Sequence, residues 1–424
     1  MAPYQDTTFK GTQPEDRVNK VKEILYDGVY YNVTDFIGIH PGGRQIMEYF
    51  CTAGEDATLP IQQFHSRTIG KVNGLLKSFK KRPASDLEDV KTQKVQEKNK
   101  QLTDDFTKLY LELKAEGLFK PSYFHTVYRI LEMVMLAAVG LFLITQTSNF
   151  LVKSLGCIFL SLGQIRALGV MHETGHLSLT GNPKWDRLIQ AFAHGSFMGH
   201  SAIFWRRYHS LHHAQTSRLK HDLDFEHLPV VLLNINVIDD PKKDQNIVLR
   251  HPLLLAPVAL LFQTWKLQFW ETGTHLVKHR IPSEILAIGI YYFFAWHVGI
   301  LPWIVCTAMT MSHFGFTTSL NHSYLPITTK PTHWVEQALV HTVNIEQSWW
   351  CDWWMFYLNF QIEHHLFPTM PQFRNRRAVE RVKALAQKHG LPYRVYSYKD
   401  ACVKSMKNLL DISDELKRIH NHGD

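Results

Sequence analysis

The sequence predicts a multi-domain protein in which a small α+β domain is followed by an all-α integral membrane domain with four transmembrane helices and a helical cap. Three observations carry this expectation. The segment up to Lys80 mixes strand-like alternation with turn and helix signals. A charged stretch then interrupts the chain, and two close pairs of apolar segments follow, each near the length that crosses a bilayer. At 424 residues the chain also exceeds one ordinary domain.

The first segment reads ILYDGVYYNVTDF, alternating apolar and polar residues around Asp27-Gly28, which predicts a short hairpin. His40-Pro41-Gly42-Gly43 then opens a helical stretch. Residues 81–105, KRPASDLEDVKTQKVQEKNKQLTDD, are charged and almost free of large apolar side chains, and read as a linker or a solvated helix. The expected division is residues 16–80, 81–120 and 121–424.

The apolar segments are Val127 to Thr147, Phe150 to Val170, Ile285 to Leu301 and Trp303 to Leu320. The links at Gln146 to Asn149 and at Leu301-Pro302 leave room only for tight hairpins, so four crossings return the chain to its starting side. Lys120, Arg129, Arg166, Lys278, Arg280 and Lys330 flank the ends assigned to the cytosol, whereas only Lys153 lies near the hairpin tips. Both termini are then cytosolic. The shorter run Leu253 to Phe262, interrupted by Pro257, reads as an interfacial or re-entrant helix. Trp205, Trp265, Trp270, Trp349 and Trp350 are expected in an aromatic belt at the interface.

Charge and cysteine usage narrow the class. The net charge of +8 suits an anionic partner, and its placement beside apolar segments favours a membrane face over nucleic acid. The five cysteines are scattered without C-x-x-C spacing and read as reduced thiols on a cytosol-facing protein. The first twenty residues contain no apolar core of a secretory signal.

Two constellations carry chemistry. In the first, Pro41 and the glycines turn the chain so that the His40 imidazole can aim inward, and Gly54-Glu55-Asp56-Ala57-Thr58 and Phe64-His65 follow. Two histidines approaching an iron from opposite faces leave it no open position, so such a center passes electrons without binding oxygen. The combination of HPGG, GEDAT and FH resembles cytochrome b5. That resemblance implies heme b with His40 and His65 as axial ligands.

The second constellation is three histidine clusters at membrane ends. These are His172-Glu173-Thr174-Gly175-His176, then His209-Ser210-Leu211-His212-His213, and finally Gln361-Ile362-Glu363-His364-His365. Positions i, i+3 and i+4 share a helix face, so each cluster can present its imidazoles in one direction. Seven such ligands exceed the three or four of one zinc ion and imply two metals. Alone, HETGH would also fit a zinc peptidase with Glu173 as general base. The later clusters argue against that, because a peptidase needs only one further ligand.

The order of the clusters resembles the membrane desaturases, and Gln361 at the head of the third cluster resembles their front-end group. NIEQSWWCDWW and LNFQIEHHLFPTMP are similar to animal front-end polyunsaturated fatty acid desaturases of the delta-5 and delta-6 kind. This resemblance implies an oxidoreductase of the endoplasmic reticulum membrane that uses two iron ions and O2 to place a cis double bond in a polyunsaturated acyl-CoA or acyl-lipid. It also implies a separate NADH-cytochrome b5 reductase as partner, since the chain has no G-x-G-x-x-G fingerprint. The metal ligands expected are His172, His176, His209, His212, His213, His364 and His365, with one more from MTMSHFGFTTSLNHS. His313 is preferred there over His322, because Met-Ser-His occurs at that place in similar animal enzymes. A sphingolipid long-chain base desaturase with the same fused domain would share every motif and remains open.

Overall fold

A computed structural model describes residues 21–421 except 53–54, 85–89, 220, 223–231, 239–246, 253–254, 256–260, 263 and 331. The expected hairpin is present: β1 (Glu23–Tyr26) pairs antiparallel with β2 (Val29–Asn32). Asp27 and Gly28 both adopt positive φ, at 51° and 70°, the turn that matches the right-handed twist of two short strands. A third strand, β3 (Lys81–Pro83), returns to pair with β2. Helices α1 (Arg44–Thr52), α2 (Thr58–Phe64) and α3 (Ile69–Leu76) complete an α+β domain whose core holds Ile24, Val33, Ile37, Tyr49 and Phe50.

The charged stretch is more than a connector. It feeds α4 (Val90–Ala115), which buries Leu102, Phe106, Leu109, Tyr110 and Leu113 in a shared core with Trp334, Leu339, Phe367 and Val382. These apolar residues mostly lie beyond the charged run, at helical spacing.

Among the described residues, three helices are long and apolar enough to cross a membrane: α5 (Tyr123–Thr145), α6 (Phe150–Gly175) and, later in the chain, Ile300–His322. The α5–α6 hairpin is tight because Asn149 caps α6, its side chain accepting from the backbone N–H of Leu151 and Val152. Glycines then let the two helices touch: a Cβ on Gly163 would lie 2.6 Å from the backbone nitrogen of Ala137. Next come α7 (Pro183–Met198), α8 (Ala202–Ala214) and α9 (Thr272–His279), then α10 (Pro282–Val298) and α11 (Ile300–His322). The fourth expected crossing, Ile285 to Leu301, falls on α10, whose 17 residues are at the short end of the spanning range and which is not among these three. Gly299, at φ 87°, separates α10 from α11. Most of Leu253 to Phe262 lies outside the described residues.

The remaining chain caps one end of the bundle with α12 (Trp334–His341), α13 (Trp349–Trp354), α14 (Gln361–Leu366), α15 (Val379–Lys388) and α16 (Tyr398–Asn421). Two short parallel strands, β4 (Asn344–Ile345) and β5 (Val395–Tyr396), tie this cap together.

Candidate functional site

The site forms where helices end. The last turn of α6 presents His172, and His176 follows as its C-cap residue. Helix α8 brings His209, His212 and His213. Its start is fixed by Ser201, whose hydroxyl accepts from the Phe204 N–H and donates to Glu284. Helix α14 brings His364 and His365, and α11 ends on His322.

These imidazoles form two adjoining groups. His172, His176, His209, His213 and His364 place one ring nitrogen each within 4.8 Å of one another. His212, His322 and His365 do the same. The groups meet where the rings of His213 and His365 stack at 4.1 Å. All seven histidines of the three sequence clusters are therefore brought together. Nε2 of His176, Nε2 of His364 and Nδ1 of His213 are buried with no hydrogen-bond partner, a costly state unless something accepts their lone pairs or protons. Burial, reinforced by neighboring histidines, holds His209, His213, His364 and His365 far below the ordinary imidazole range. They are thus neutral near pH 7, the form that ligates a metal.

Outside these groups stands a layer of partners that fixes the rings. Nδ1 of His212 lies 3.0 Å from Asp222, that of His322 lies 3.1 Å from the carbonyl of His341, and that of His365 lies 3.2 Å from the Thr216 hydroxyl. Nδ1 of His172 lies 2.6 Å from the Gln372 side chain. In each case Nε2 is left to face the center. Trp205 stacks on His209 at 4.5 Å, so it belongs to the site rather than to an interfacial belt. Trp265, Trp270, Trp349 and Trp350 are exposed.

His313 corrects the sequence expectation. Its ring packs against Trp354 at 4.4 Å and lies in neither group, whereas His322 closes the second. The reason is pitch: His313 precedes His322 by nine residues, roughly 13 Å along a helix, so it sits too deep to reach a center built at the helix ends. Glu173 is turned away as well. One of its carboxylate oxygens accepts from the backbone N–H of Gln372, and the other lies 3.1 Å from Nε2 of His125. That placement removes the general base of the peptidase reading. Gln361, in contrast, lies inside the second group, its amide 3.0 Å from Nε2 of His322 and 3.3 Å from Nε2 of His365.

In the N-terminal domain, the His40 and His65 rings lie with centers 6.0 Å apart and their planes nearly perpendicular. Two iron–nitrogen bonds of about 2 Å plus the ring radii require about that separation. Burial lowers His65 to about 4 and also lowers His40, whose Nδ1 turns to the Gly43 carbonyl. Both rings are therefore neutral near pH 7.

A largely apolar cavity of about 240 Å³ opens among α5, α6, α7, α10 and α11, lined by Leu141, Leu160, Gln164, Phe197, Phe294 and Trp303 among others.

Comparison with known proteins follows the same division. The pattern of the family described as Fatty acid desaturase matches residues 148–397, and that of the Cytochrome b5-like Heme/Steroid binding domain matches residues 22–124. An "Acyl-lipid (8-3)-desaturase" of Rebecca salina is 35% identical over 97% of this chain and 98% of its own length. A protein of the same name from Thraustochytrium sp is 36% identical over 93% of both chains. A "Delta(8)-fatty-acid desaturase" of Borago officinalis is 29% identical over 91% of this chain and 89% of its own.

Proposed function

Because the chain belongs to the fatty acid desaturase family and carries a fused cytochrome b5 domain, we propose that it is a front-end desaturase that places a cis double bond at carbon 5 or 6 of a polyunsaturated acyl chain. The observation that carries this reading is the pair of adjoining imidazole groups, nearly all of them buried, at the ends of the bundle helices. Two iron ions would be held by His172, His176, His209, His213 and His364, and by His212, His322 and His365. When bound, they supply with O2 the oxidizing power to remove two hydrogens from an unactivated methylene pair, which no acid or base side chain can do.

The rest falls to the chain's own side chains. If Nε2 of His172 faces a metal, its Nδ1 carries the proton, and the Gln372 amide must turn its oxygen to accept it. The orphaned Oε1 of Gln372 fits that rotation. The same rotation of Gln361 sets its Oε1, also orphaned, between His322 and His365 as a fourth donor to the smaller group. Asp222 orients His212 and favors its ligating tautomer. The cavity excludes water and holds the methyl side of the acyl chain: Gln164 in its wall lies eight residues, about 12 Å, along α6 from His172.

An NADH-cytochrome b5 reductase would renew the heme between His40 and His65. The chain would lie in the endoplasmic reticulum membrane with α10 as a fourth crossing and both termini in the cytosol. The relatives named acyl-lipid desaturases favor a lipid-bound acyl chain as substrate alongside acyl-CoA.

Expression in yeast, with eighteen- and twenty-carbon polyunsaturated acids fed separately, tests the reading. A new bond at carbon 5 or 6, between the carboxyl end and an existing bond, supports it. A bond at carbon 8, one added toward the methyl end, or one in sphingoid bases alone overturns the assignment.

A further inference from the structure

The N-terminal domain is built onto the histidine site. Leu211 and Ala214 of α8, which flank His212 and His213, belong to the core of the N-terminal domain with Ile46, Tyr49 and Phe50. Two clasps hold the seam. Arg218, five residues beyond His213, makes a buried 3.0 Å ion pair with Glu55 and also donates to the Tyr49 hydroxyl. Ser66 meets Thr369, four residues beyond His365, at 2.6 Å between hydroxyl oxygens. Arg67 donates to the carbonyls of Phe119 and Thr369. Between the clasps sits Phe64. It precedes His65, and its ring lies 6.5 Å from that of His213 and 5.5 Å from that of Trp334.

We propose that this seam is a fixed electron-entry contact and that Phe64 is its positioning residue, setting the His65 side of the heme against His213. The inference rests on the heme and two-metal reading above. With both groups bound, each transfer would oxidize the heme held by His40 and His65 by one electron and reduce the metals held by the histidine groups by one. No bond forms or breaks, and two transfers serve each double bond. A one-electron donor of the flavoprotein class renews the heme. The clasp side chains are only 11% and 14% exposed for Arg218 and Glu55, so salt screens the contact weakly. A domain that instead swung out to meet its reductase and back would have to break both clasps in every cycle.

The test uses the full-length, heme- and iron-loaded protein in detergent with Ser66→Cys and Thr369→Cys introduced together. The 2.6 Å separation of the native oxygens predicts near-complete cross-linking under mild oxidant, read as one linked peptide by mass spectrometry. Reduced heme is then mixed with O2 and substrate, and its absorbance is followed. The proposal expects the cross-linked protein to reoxidize its heme at the rate of the uncross-linked one, nearly independent of salt. It expects Phe64→Leu, with heme spectrum and iron content intact, to slow reoxidation about tenfold. Failure to cross-link, or a cross-linked protein whose heme stays reduced, overturns it. If Phe64→Leu does not retain heme, the pair Arg218→Glu and Glu55→Arg decides: each alone should slow reoxidation, and together they should restore it. Absence of rescue counts against the contact. A wrong regiochemistry would change the lipid product and leave these heme kinetics untouched, so the two failures are distinguishable.

Discussion

The Asp222 carboxylate holds Nδ1 of His212 at 3.0 and 3.1 Å from its two oxygens while accepting the backbone N–H of Ser217 at 2.6 Å. The carboxylate is itself pinned, so it fixes both the tautomer and the tilt of a ring in the smaller group. Asp222→Asn keeps the shape and loses the charge. Weakening of metal affinity at that group by about 10–100-fold is expected. Iron retained after dialysis against a graded chelator checks it, with the heme absorbance unchanged.

His322 and His313 make opposite predictions although they share a helix. His322→Ala removes one of three imidazoles from the smaller group and should release about one iron per chain. His313→Ala removes a ring packed on Trp354 and should leave the iron content intact. The comparison is read by metal analysis on both variants after the same purification.

The His40 and His65 rings, with centers 6.0 Å apart, predict a low-spin heme spectrum in the whole protein. Alanine at either position should convert it to high spin or abolish heme binding, while non-heme iron stays. A high-spin spectrum in the unaltered protein would contradict bis-histidine ligation.

Stability should fall in mild acid through His333. Its Nδ1 accepts the Val335 N–H as the N-cap of α12, and its Nε2 meets the Thr103 hydroxyl at 2.9 Å, joining α12 to α4. Burial first, then His389 and Lys98, lowers it from 6.5 to about 4. The unfolded chain therefore binds a proton that the folded chain refuses between those values. Stability is whole above pH 6.5 and declines by up to ~3 kcal/mol as pH falls toward 4. His333→Asn, which can still cap the helix, should flatten that part of the profile of thermal unfolding against pH.

The sequence made the three clusters legible because i, i+3 and i+4 spacing is local, and the structure gathers all seven histidines. The hairpin at Asp27-Gly28 was equally legible, since it depends on two adjacent residues. What could not be read is distance along a helix relative to a center assembled elsewhere. His313 and His322 stand on one helix, and only the depth of α6, α8 and α14 decides which one arrives. The same blindness hid Trp205, which looks like an interfacial aromatic until α8 lays it on His209. The second half of α4 was obscured by the charged run before it, and Gln372 and Asp222 became visible as partners only once the fold brought them to His172 and His212.

Metal stoichiometry tests the central claim most directly. Full-length protein, purified in detergent and analyzed for heme and total metal together, should contain about two non-heme irons for each heme, because eight imidazoles in two groups, seven of them buried, can hold two ions. A single zinc per chain, or iron in the heme alone, would contradict the two-metal site and the oxidative chemistry built on it.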